Sequence, residues 1–131
     1  MNIKLGQVVN SKEGLEMLSD IKVKAKIAFS IKKLIDVTSK EIESFEKVRE
    51  DKIRQYGETR TNDEGKEVVE VSKENQESFL NEMNELFNET VNLEVPNISM
   101  DDFLNNETEI TAKTLISLDW VFSTSEDENV D

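Results

Sequence analysis

The sequence predicts a mainly α-helical protein with minor β structure, in which one long helix forms an antiparallel helical hairpin with a second helix. The stretch 21–56 contains neither Gly nor Pro and carries apolar residues at helical spacing. A second apolar stripe of helical period follows at 79–87, after a turn region that contains glycine. With 131 residues, 36% of them hydrophobic and 34% charged, the chain suits one domain of thin, well-solvated helices.

The chain begins with a predicted short strand and a short helix. Ile3 and Leu5 alternate with polar neighbours, as the residues of a half-buried strand do. Asn10 and Glu13 have the spacing of a capping box, which predicts that a helix starts there. The apolar residues within Leu15–Leu18 are then expected to cover the N-terminal half of the long helix.

The long helix is predicted over Ile21–Tyr56, with Asp20 as its candidate cap. If it is unbroken, these residues extend about 54 Å at 1.5 Å per residue. Two rows of positions with seven-residue spacing place one apolar stripe along the helix. The rows are Ala28, Ile35 and Ile42, and Ile31, Thr38 and Phe45.

Two local patterns compete with a continuous helix. Residues 21–27 alternate strictly between apolar and polar, as a half-buried strand would. Helical spacing fits the same residues, and helix is the preferred interpretation. Thr38 and Glu41 match a second capping box, so the sequence leaves open whether the helix breaks near Val37–Ser39.

A small β-hairpin or loop is predicted at residues 57–71. The long helix is expected to end at Tyr56, because Gly57 can adopt the left-handed conformation that closes a helix. The turn-forming residues Asn62–Gly65 lie between two β-prone arms, which favours a hairpin. Since the first arm has no apolar residue, a flexible tip fits the sequence equally well.

The second helix is predicted over residues 72–90. Ser72 is a good N-cap, and Glu74 in the first turn would complement the helix dipole. Its apolar stripe consists of Phe79, Leu80, Met83, Leu86 and Phe87. The expected partners on the C-terminal half of the long helix are Ile42, Phe45, Val48 and Tyr56. The two helices are therefore predicted to pack as an antiparallel hairpin.

The chain is then predicted to return to its N-terminus. Val91–Val95 alternates before Pro96, which is typical of an edge strand, and this segment could pair with Ile3–Leu5. Ser99 and Asp102 form a cap-like pair that predicts one or two helical turns after them.

A last helix is predicted over residues 111–122, with Thr111 as its cap. Because it is apolar around most of its circumference, we expect it to be buried. Residues 105–108 are expected to form a loop, and the polar, acidic residues 123–131 a flexible tail. The predicted domain thus spans residues 1–122.

The composition excludes several kinds of chemistry. Because the chain has no Cys and no His, it cannot form disulfides, thiolate sites, the usual zinc sites or histidine general bases. Its four glycines are scattered singly, so no phosphate-binding loop is present. Asn62–Gly65 resembles part of a calcium loop, but Arg60 stands where the first Asp ligand belongs. We therefore expect no cofactor, no metal ion and no enzymatic activity.

The charge of the chain is strongly acidic and unevenly distributed. The net charge of −13 argues against direct binding to nucleic acid or to an anionic membrane. Residues 1–60 carry thirteen Lys/Arg against ten Asp/Glu, whereas residues 61–131 carry three against nineteen. The acidic part either serves only as a solvated surface or forms a face for a basic protein partner. With no signal sequence or membrane span, a cytoplasmic protein is expected.

Nine carboxylates are the candidate partner-binding residues. They are Asp63, Glu64, Glu67, Glu70, Glu74, Glu77, Glu82, Glu85 and Glu89. The last three share one helix face and could hold a hard cation, although a solvated face is the preferred interpretation. Asp101–Asp102 fits a helix-capping role, and Asp119 is expected to face solvent or a lysine.

A lysine cluster is the counterpart of the acidic part. Its members are Lys22, Lys24, Lys26, Lys32 and Lys33. A nucleic-acid groove would combine arginines with stacking aromatics, so a solvated face is the preferred interpretation here. The nearby Phe29, and Trp120 in the last helix, are both expected to belong to the core.

The order of elements resembles that of a group of small uncharacterised proteins from phages and prophages of Gram-positive bacteria. The resemblance rests on the helix end at Tyr56-Gly57, the tip Asp63–Lys66, the helix Glu77–Leu86 and the segment Val91–Val95. It extends over residues 3–122 and contains no diagnostic catalytic motif. It implies a phage origin and assigns no functional residues.

Three functional hypotheses follow. The first is a non-enzymatic interaction or assembly protein that docks through the helical hairpin onto a phage or host protein. The second is an acidic nucleic-acid mimic that inhibits a host defence or DNA-binding protein, in the manner of anti-restriction or anti-CRISPR proteins. The third is a metal-dependent enzyme that uses carboxylates alone. A location in the host cytoplasm or on the virion, and a homodimer formed through the long helix, are compatible with the sequence.

Overall fold

The computed structural model describes residues 1–104 and 109–123, and it confirms a mainly α fold with minor β structure. The elements in chain order are β1 (Asn2–Lys4), α1 (Leu5–Asn10), α2 (Lys12–Ser19), α3 (Ala25–Tyr56), β2 (Gly57–Thr61), β3 (Glu67–Val71), α4 (Gln76–Phe87), β4 (Thr90–Asn92), β5 (Ile98–Ser99), α5 (Met100–Leu104), α6 (Ala112–Ser117) and β6 (Phe122–Ser123). The predicted loop at 105–108 and the tail beyond residue 123 lie outside the described residues.

Helix α3 is continuous over 32 residues, or about 48 Å, but it begins four residues later than predicted. Residues 21–24 form neither helix nor strand, so the preferred interpretation of this entry as helix was wrong. Ile21 and Val23 pack against the main hydrophobic cluster, and an extended backbone places both on that side. Asp20 follows α2 as its C-cap and does not cap α3.

No break occurs at Thr38. Its side chain is 1% exposed, and its hydroxyl donates a hydrogen bond to the carbonyl of Leu34 at 2.8 Å. A Thr hydroxyl that bonds to the carbonyl four residues earlier is satisfied within a helix, so Thr38 needs no capping position. The buried face of α3 comprises Ile31, Leu34, Thr38, Ile42 and Phe45. Ala28, expected in the stripe, is exposed.

The N-terminal segment forms two short helices where one was predicted. Helix α1 follows β1 directly, and α2 starts after Ser11, so Asn10 and Glu13 do not form the predicted capping box. The Ser11 hydroxyl donates to the carbonyl of Val8 at 2.7 Å and does not cap α2. The strand β1 pairs antiparallel with β4, with Ile3 opposite Val91, as predicted.

The β2–β3 hairpin is present as an ordered element at the end of α3. At its turn the side chain of Asn62 accepts hydrogen bonds from the backbone N–H groups of Glu64 and Lys66, at 3.0 and 2.9 Å. Gly57 is extended, with φ −99° and ψ 166°, so the predicted left-handed closure was wrong. Glycine is needed because a Cβ would lie 2.8 Å from Cγ1 of Val69 and would meet the carbonyl of Ile53.

Helices α3 and α4 form the predicted antiparallel hairpin, as three contacts along its length indicate. The side-chain amide of Asn75 donates to the carbonyl of Tyr56 at 3.2 Å, next to the β-hairpin. Lys52 and Glu82 form an ion pair further along, at 3.2 Å. The rings of Phe45 and Phe87 lie 5.2 Å apart at the other end.

Helix α4 is shorter than the predicted range 72–90. Residues Lys73–Asn75 form one 3-10 turn before it, and Ser72, which precedes this turn, makes no side-chain capping bond. The Ser72 hydroxyl instead lies 3.5 Å from the carbonyl of Tyr56. At the other end, the chain leaves the helix after Phe87 and enters β4.

The C-terminal segment returns to the N-terminus with a shorter last helix than predicted. The hydroxyl of Thr111 accepts a hydrogen bond from the backbone N–H of Thr114 at 3.2 Å, which confirms the predicted cap. Helix α6 ends at Ser117, so the prediction of helix to residue 122 was wrong. The turn after it brings the ring of Phe122 to 4.9 Å from that of Phe103.

Two hydrophobic clusters hold these elements together. The main cluster combines both terminal segments with the N-terminal half of α3, and its buried members include Leu15, Leu18, Ile31, Leu34, Phe103, Leu118, Val121 and Phe122. The second cluster, inside the α3–α4 hairpin, contains Leu5, Phe45 and Met83. The buried face of α3, from Ile31 to Phe45, is thus covered by segments of the same chain.

Candidate partner-binding surface

The nine candidate carboxylates lie along the α3–α4 hairpin but not on a single face. Asp63 and Glu64 are in the turn of the β-hairpin, Glu67 and Glu70 in β3, Glu74 in the 3-10 turn, Glu77, Glu82 and Glu85 in α4, and Glu89 just after it. All except Glu82, which is half-buried, are exposed. The structure therefore separates a group at the β-hairpin from a group along α4.

Two of these carboxylates have basic partners. Arg60 pairs with Glu70 across the β-hairpin at 2.8 Å, and Lys52 pairs with Glu82 between α3 and α4 at 3.2 Å. Within residues 1–104 and 109–123, the ion pairs involve none of the other seven. The Arg60–Glu70 pair is exposed, and exposed pairs contribute little to stability, typically below about 1 kcal/mol. Most of the acidic charge on the hairpin is thus left uncompensated.

An open groove of about 250 Å³ runs between α3 and α4. Its floor consists of Val48, Met83 and Leu86, and its polar lining of Lys52, Glu82, Glu85 and Glu89. Met83 is buried, whereas Val48 is 41% exposed. We call this feature the α3–α4 groove. It joins an apolar floor to an acidic rim, because the glutamates follow the flank of α4 at three- and four-residue steps.

The end of the groove next to the β-hairpin holds a small electrostatic cluster. The pKa of Glu82 is lowered below its usual value, mainly by the Tyr56 phenol and secondly by the Lys52 ammonium. In return, the Glu82 carboxylate raises the pKa of Tyr56, with burial as the second cause. Oε2 of Glu82 is buried and forms no hydrogen bond of ordinary geometry among the described residues.

The two flanks of the hairpin differ. Helix α1 packs against both α3 and α4 on one flank, where Leu5 and Val9 join Phe87 in the second cluster. Helical spacing places Glu82 and Glu85 on the side of α4 away from Phe87. In the part of the chain that the structure describes, the α3–α4 groove on this second flank is lined by the two helices and by Glu89 alone.

The sequence named the glutamates of this site but not its other members. Val48 and Tyr56 were identified only as packing residues, and Lys52 was not singled out. These three residues follow one another at four-residue steps on α3, which was the available signal for a shared face. That Lys52 meets Glu82 depends on the register of two helices thirty residues apart in the chain.

The lysine cluster is exposed as predicted, but the expectation for Phe29 was wrong. The Phe29 ring is 58% exposed, and the Lys33 ammonium lies 4.6 Å from its centroid. Phe29 lies two positions from the buried Ile31 and so faces away from the core, because two helical residues are about 200° apart. Lys32 forms an ion pair with Asp36 at 2.8 Å.

Three other features were also candidates: a cleft between α2 and α3, and the residues Asp119 and Trp120. A cleft of about 310 Å³ lies between α2 and α3, and the ion pair of Lys12 and Glu46 crosses its edge at 2.8 Å. Glu46 raises the pKa of Lys12, mainly through this hydrogen bond. Asp119 is exposed, and Trp120 packs against the main cluster as expected, although its Nε1 has no hydrogen-bond partner among the described residues.

No group of three or more acidic side chains within residues 1–104 and 109–123 lies close enough together to hold a metal ion. None of the helices found in these ranges has both the length and the apolar content of a membrane span.

Comparison with known proteins adds no relative to this picture. No protein-family model, curated protein or solved structure matches the chain. The resemblance to phage proteins stays a prediction.

Proposed function

We propose that this chain is a non-enzymatic protein-binding module, a structural or assembly accessory protein that acts through the α3–α4 hairpin. The proposal is carried by the one-sided packing of this hairpin. Helix α1 covers one flank, whereas the other presents Val48 beneath a rim of glutamates. An apolar groove between two helices is the position that a third helix takes in helical bundles and in helix-in-groove complexes.

The resemblance to phage proteins extends this proposal to the origin of the chain and of its partner. We propose a phage-encoded protein whose partner is a virion protein or a host protein. The acidic character of the hairpin favours a basic protein surface as the partner and disfavours nucleic acid and anionic membranes.

Site-specific photo-crosslinking in cells that express the full chain tests where the partner binds. A photoreactive residue is placed at Glu85 or Glu89 beside the α3–α4 groove and, as a control, at Lys22 or Ile116 at the other end of the molecule. All four positions are exposed, so the replacements should not disturb the core. We expect a crosslinked protein from the hairpin positions only. Crosslinks from the control positions alone, or from none of the four, would contradict the proposal.

The acidic nucleic-acid mimic is a second candidate, favoured by those seven of the nine candidate carboxylates that are exposed and outside the ion pairs of the described residues. Binding of this kind relies on attraction between exposed charges, which salt screens. The Debye length is about 10 Å at 0.1 M salt and shortens as salt is added, so the affinity should fall steeply. The hairpin crosslinks can therefore be repeated in lysates over a range of salt concentrations. Crosslinks that persist at high salt exclude the mimic, whereas their loss supports it.

A further inference from the structure

The rim of the α3–α4 groove is acidic on its α4 side. Glu85 in α4 and Glu89 just after it are exposed and outside the ion pairs among the described residues. From α3 the groove is lined by Val48 and Lys52. A partner in the groove would therefore have carboxylates along one of its borders.

The floor of the groove is apolar and partly open to solvent. Val48 is 41% exposed, and Leu86 beside it is half-buried. Covering apolar surface of this kind is favourable by roughly 25 cal/mol per Å². The groove thus offers a central apolar contact between charged borders, which matches an amphipathic partner better than a uniformly charged one.

Glu82 lies at one end of the groove and differs from the other two glutamates of the rim. Its Oε1 accepts a hydrogen bond from Lys52 at 3.2 Å, and the Tyr56 phenol is the main cause of its lowered pKa. Its charge is thus already balanced by side chains of the same chain. The basic side chains of a partner are therefore expected to face Glu85 and Glu89, which are exposed.

From these observations we infer that the α3–α4 groove binds a basic amphipathic helix of another protein. The apolar side of that helix covers Val48 and Leu86, and its Lys and Arg side chains face Glu85 and Glu89. The groove follows α4 from Glu82 to the end of that helix at Phe87, five steps or about 8 Å, so the partner helix needs about two turns to cover it. This inference rests on the proposed function and names the chemistry of the partner.

A synthetic peptide tests the inference directly. The probe is a labelled peptide of about 18 residues with Leu at positions i, i+3, i+4 and i+7 and Lys or Arg on both borders of that stripe. Its binding to the full chain is measured by fluorescence anisotropy. Two control peptides are used: one with the same residues in an order that destroys the stripe, and one with Glu in place of each basic residue. We expect the basic amphipathic peptide to bind at least tenfold more tightly than either control.

Matched variants locate the binding site. The pair Glu85→Lys and Glu89→Lys reverses the rim, and we expect it to weaken binding at least tenfold. The control pair Glu13→Lys and Asp20→Lys makes the same change in net charge at exposed positions of the other half, and should alter binding less than twofold.

The apolar floor has its own pair of variants. Val48→Asp should weaken binding of the peptide at least tenfold, whereas Ile116→Asp, at a position that is 76% exposed, should leave it unchanged. Circular dichroism of each variant verifies that the fold is retained.

Three outcomes would overturn the inference: no binding of the basic peptide, equal binding of the scrambled peptide, or equal weakening by the rim variant and its control. The last would mean that the peptide responds only to total charge. If the peptide fails while hairpin crosslinks persist, the partner is not a basic helix but the protein-binding function stands. If both fail, the proposed function itself is rejected.

Discussion

At several single residues, the contacts made in the folded molecule differ from those that the neighbouring sequence suggests. Thr38 matches a capping box, yet it donates to the Leu34 carbonyl inside an unbroken helix. Gly57 is required by the close approach of the β-hairpin and not by a left-handed backbone. Glu82 is the glutamate of α4 that faces Tyr56 and Lys52, and its electrostatic surroundings are correspondingly distinct.

Replacement of Glu82 by Gln should lower the pKa of Tyr56. The Glu82 carboxylate is the main cause of the raised Tyr56 pKa, so its neutralisation returns that pKa toward the ordinary value of 10.0. Since the chain contains one tyrosine, the phenolate absorbance in an alkaline titration reports this group alone. An unchanged titration midpoint in E82Q would show that the two side chains do not interact in solution.

The same variant should reveal the effect of Glu82 on stability at acid pH. Because folding lowers the pKa of Glu82 from 4.5, its stabilising contribution is present above that pH and is lost as the pH falls through the folded-state pKa. The difference in unfolding free energy between the native chain and E82Q should therefore shrink as the pH falls below 4.5. Urea unfolding at several pH values measures it, and a difference that widens in acid would contradict the assignment.

At the level of elements, the α3–α4 hairpin depends on burial along one stripe of each helix. Phe45 is buried against Phe87 and Met83, and α1 closes the same cluster through Leu5. The ends of the helices, in contrast, depend on neighbouring elements. Helix α4 stops at Phe87 where the chain turns into β4, although the sequence contains no breaker before residue 90.

Replacement of Phe45 by Ala should destabilise the protein by about 3 kcal/mol, because it leaves a cavity in the small second cluster. Leu80→Ala is the matched control, since Leu80 belongs to the predicted stripe of α4 but is 56% exposed; its effect should stay within about 0.5 kcal/mol. Chemical unfolding followed by circular dichroism gives both values. Equal losses from the two variants would show that the second cluster does not hold the hairpin together.

For the whole molecule, the net charge of −13 opposes compaction, and the ion pairs described above are largely exposed. Most of this charge lies in the second half of the chain, which contributes the β-hairpin arm, α4 and the elements that return to the N-terminus. The protein therefore combines two hydrophobic clusters with a surface whose negative charges repel one another.

Added salt should raise the melting temperature, because it screens this repulsion more than it weakens the exposed ion pairs. The effect should be smaller for the rim variant E85K/E89K, whose net charge is −9 instead of −13. Thermal unfolding at low and moderate ionic strength measures both responses. A melting temperature that falls with salt would mean that the ion pairs outweigh the repulsion.

Much of the architecture is predictable from local patterns. The apolar spacing within α3 and α4, the turn at Asn62–Gly65 and the cap at Thr111 are each encoded by nearby residues, and the corresponding elements are present. The acidic rim was also recognisable, because Glu82, Glu85 and Glu89 share a face through helical spacing alone.

Other features required the packed molecule. The extended entry at residues 21–24 and the early end of α6 place Ile21, Val23, Val121 and Phe122 against the main cluster. Local periodicity cannot rank such alternatives, because the free energy of each depends on which distant surface it buries.

The composition and periodicity of the chain are thus sufficient for its mainly helical class, its antiparallel hairpin and the absence of cysteine or histidine chemistry, since each follows from residues within a few turns of one another. Which flank of the hairpin is covered, and hence where a groove stays open, was decided by tertiary packing. Helix α1 fills one flank through contacts between residues far apart in the chain. The acidic rim becomes a candidate binding surface only because the other flank is left open.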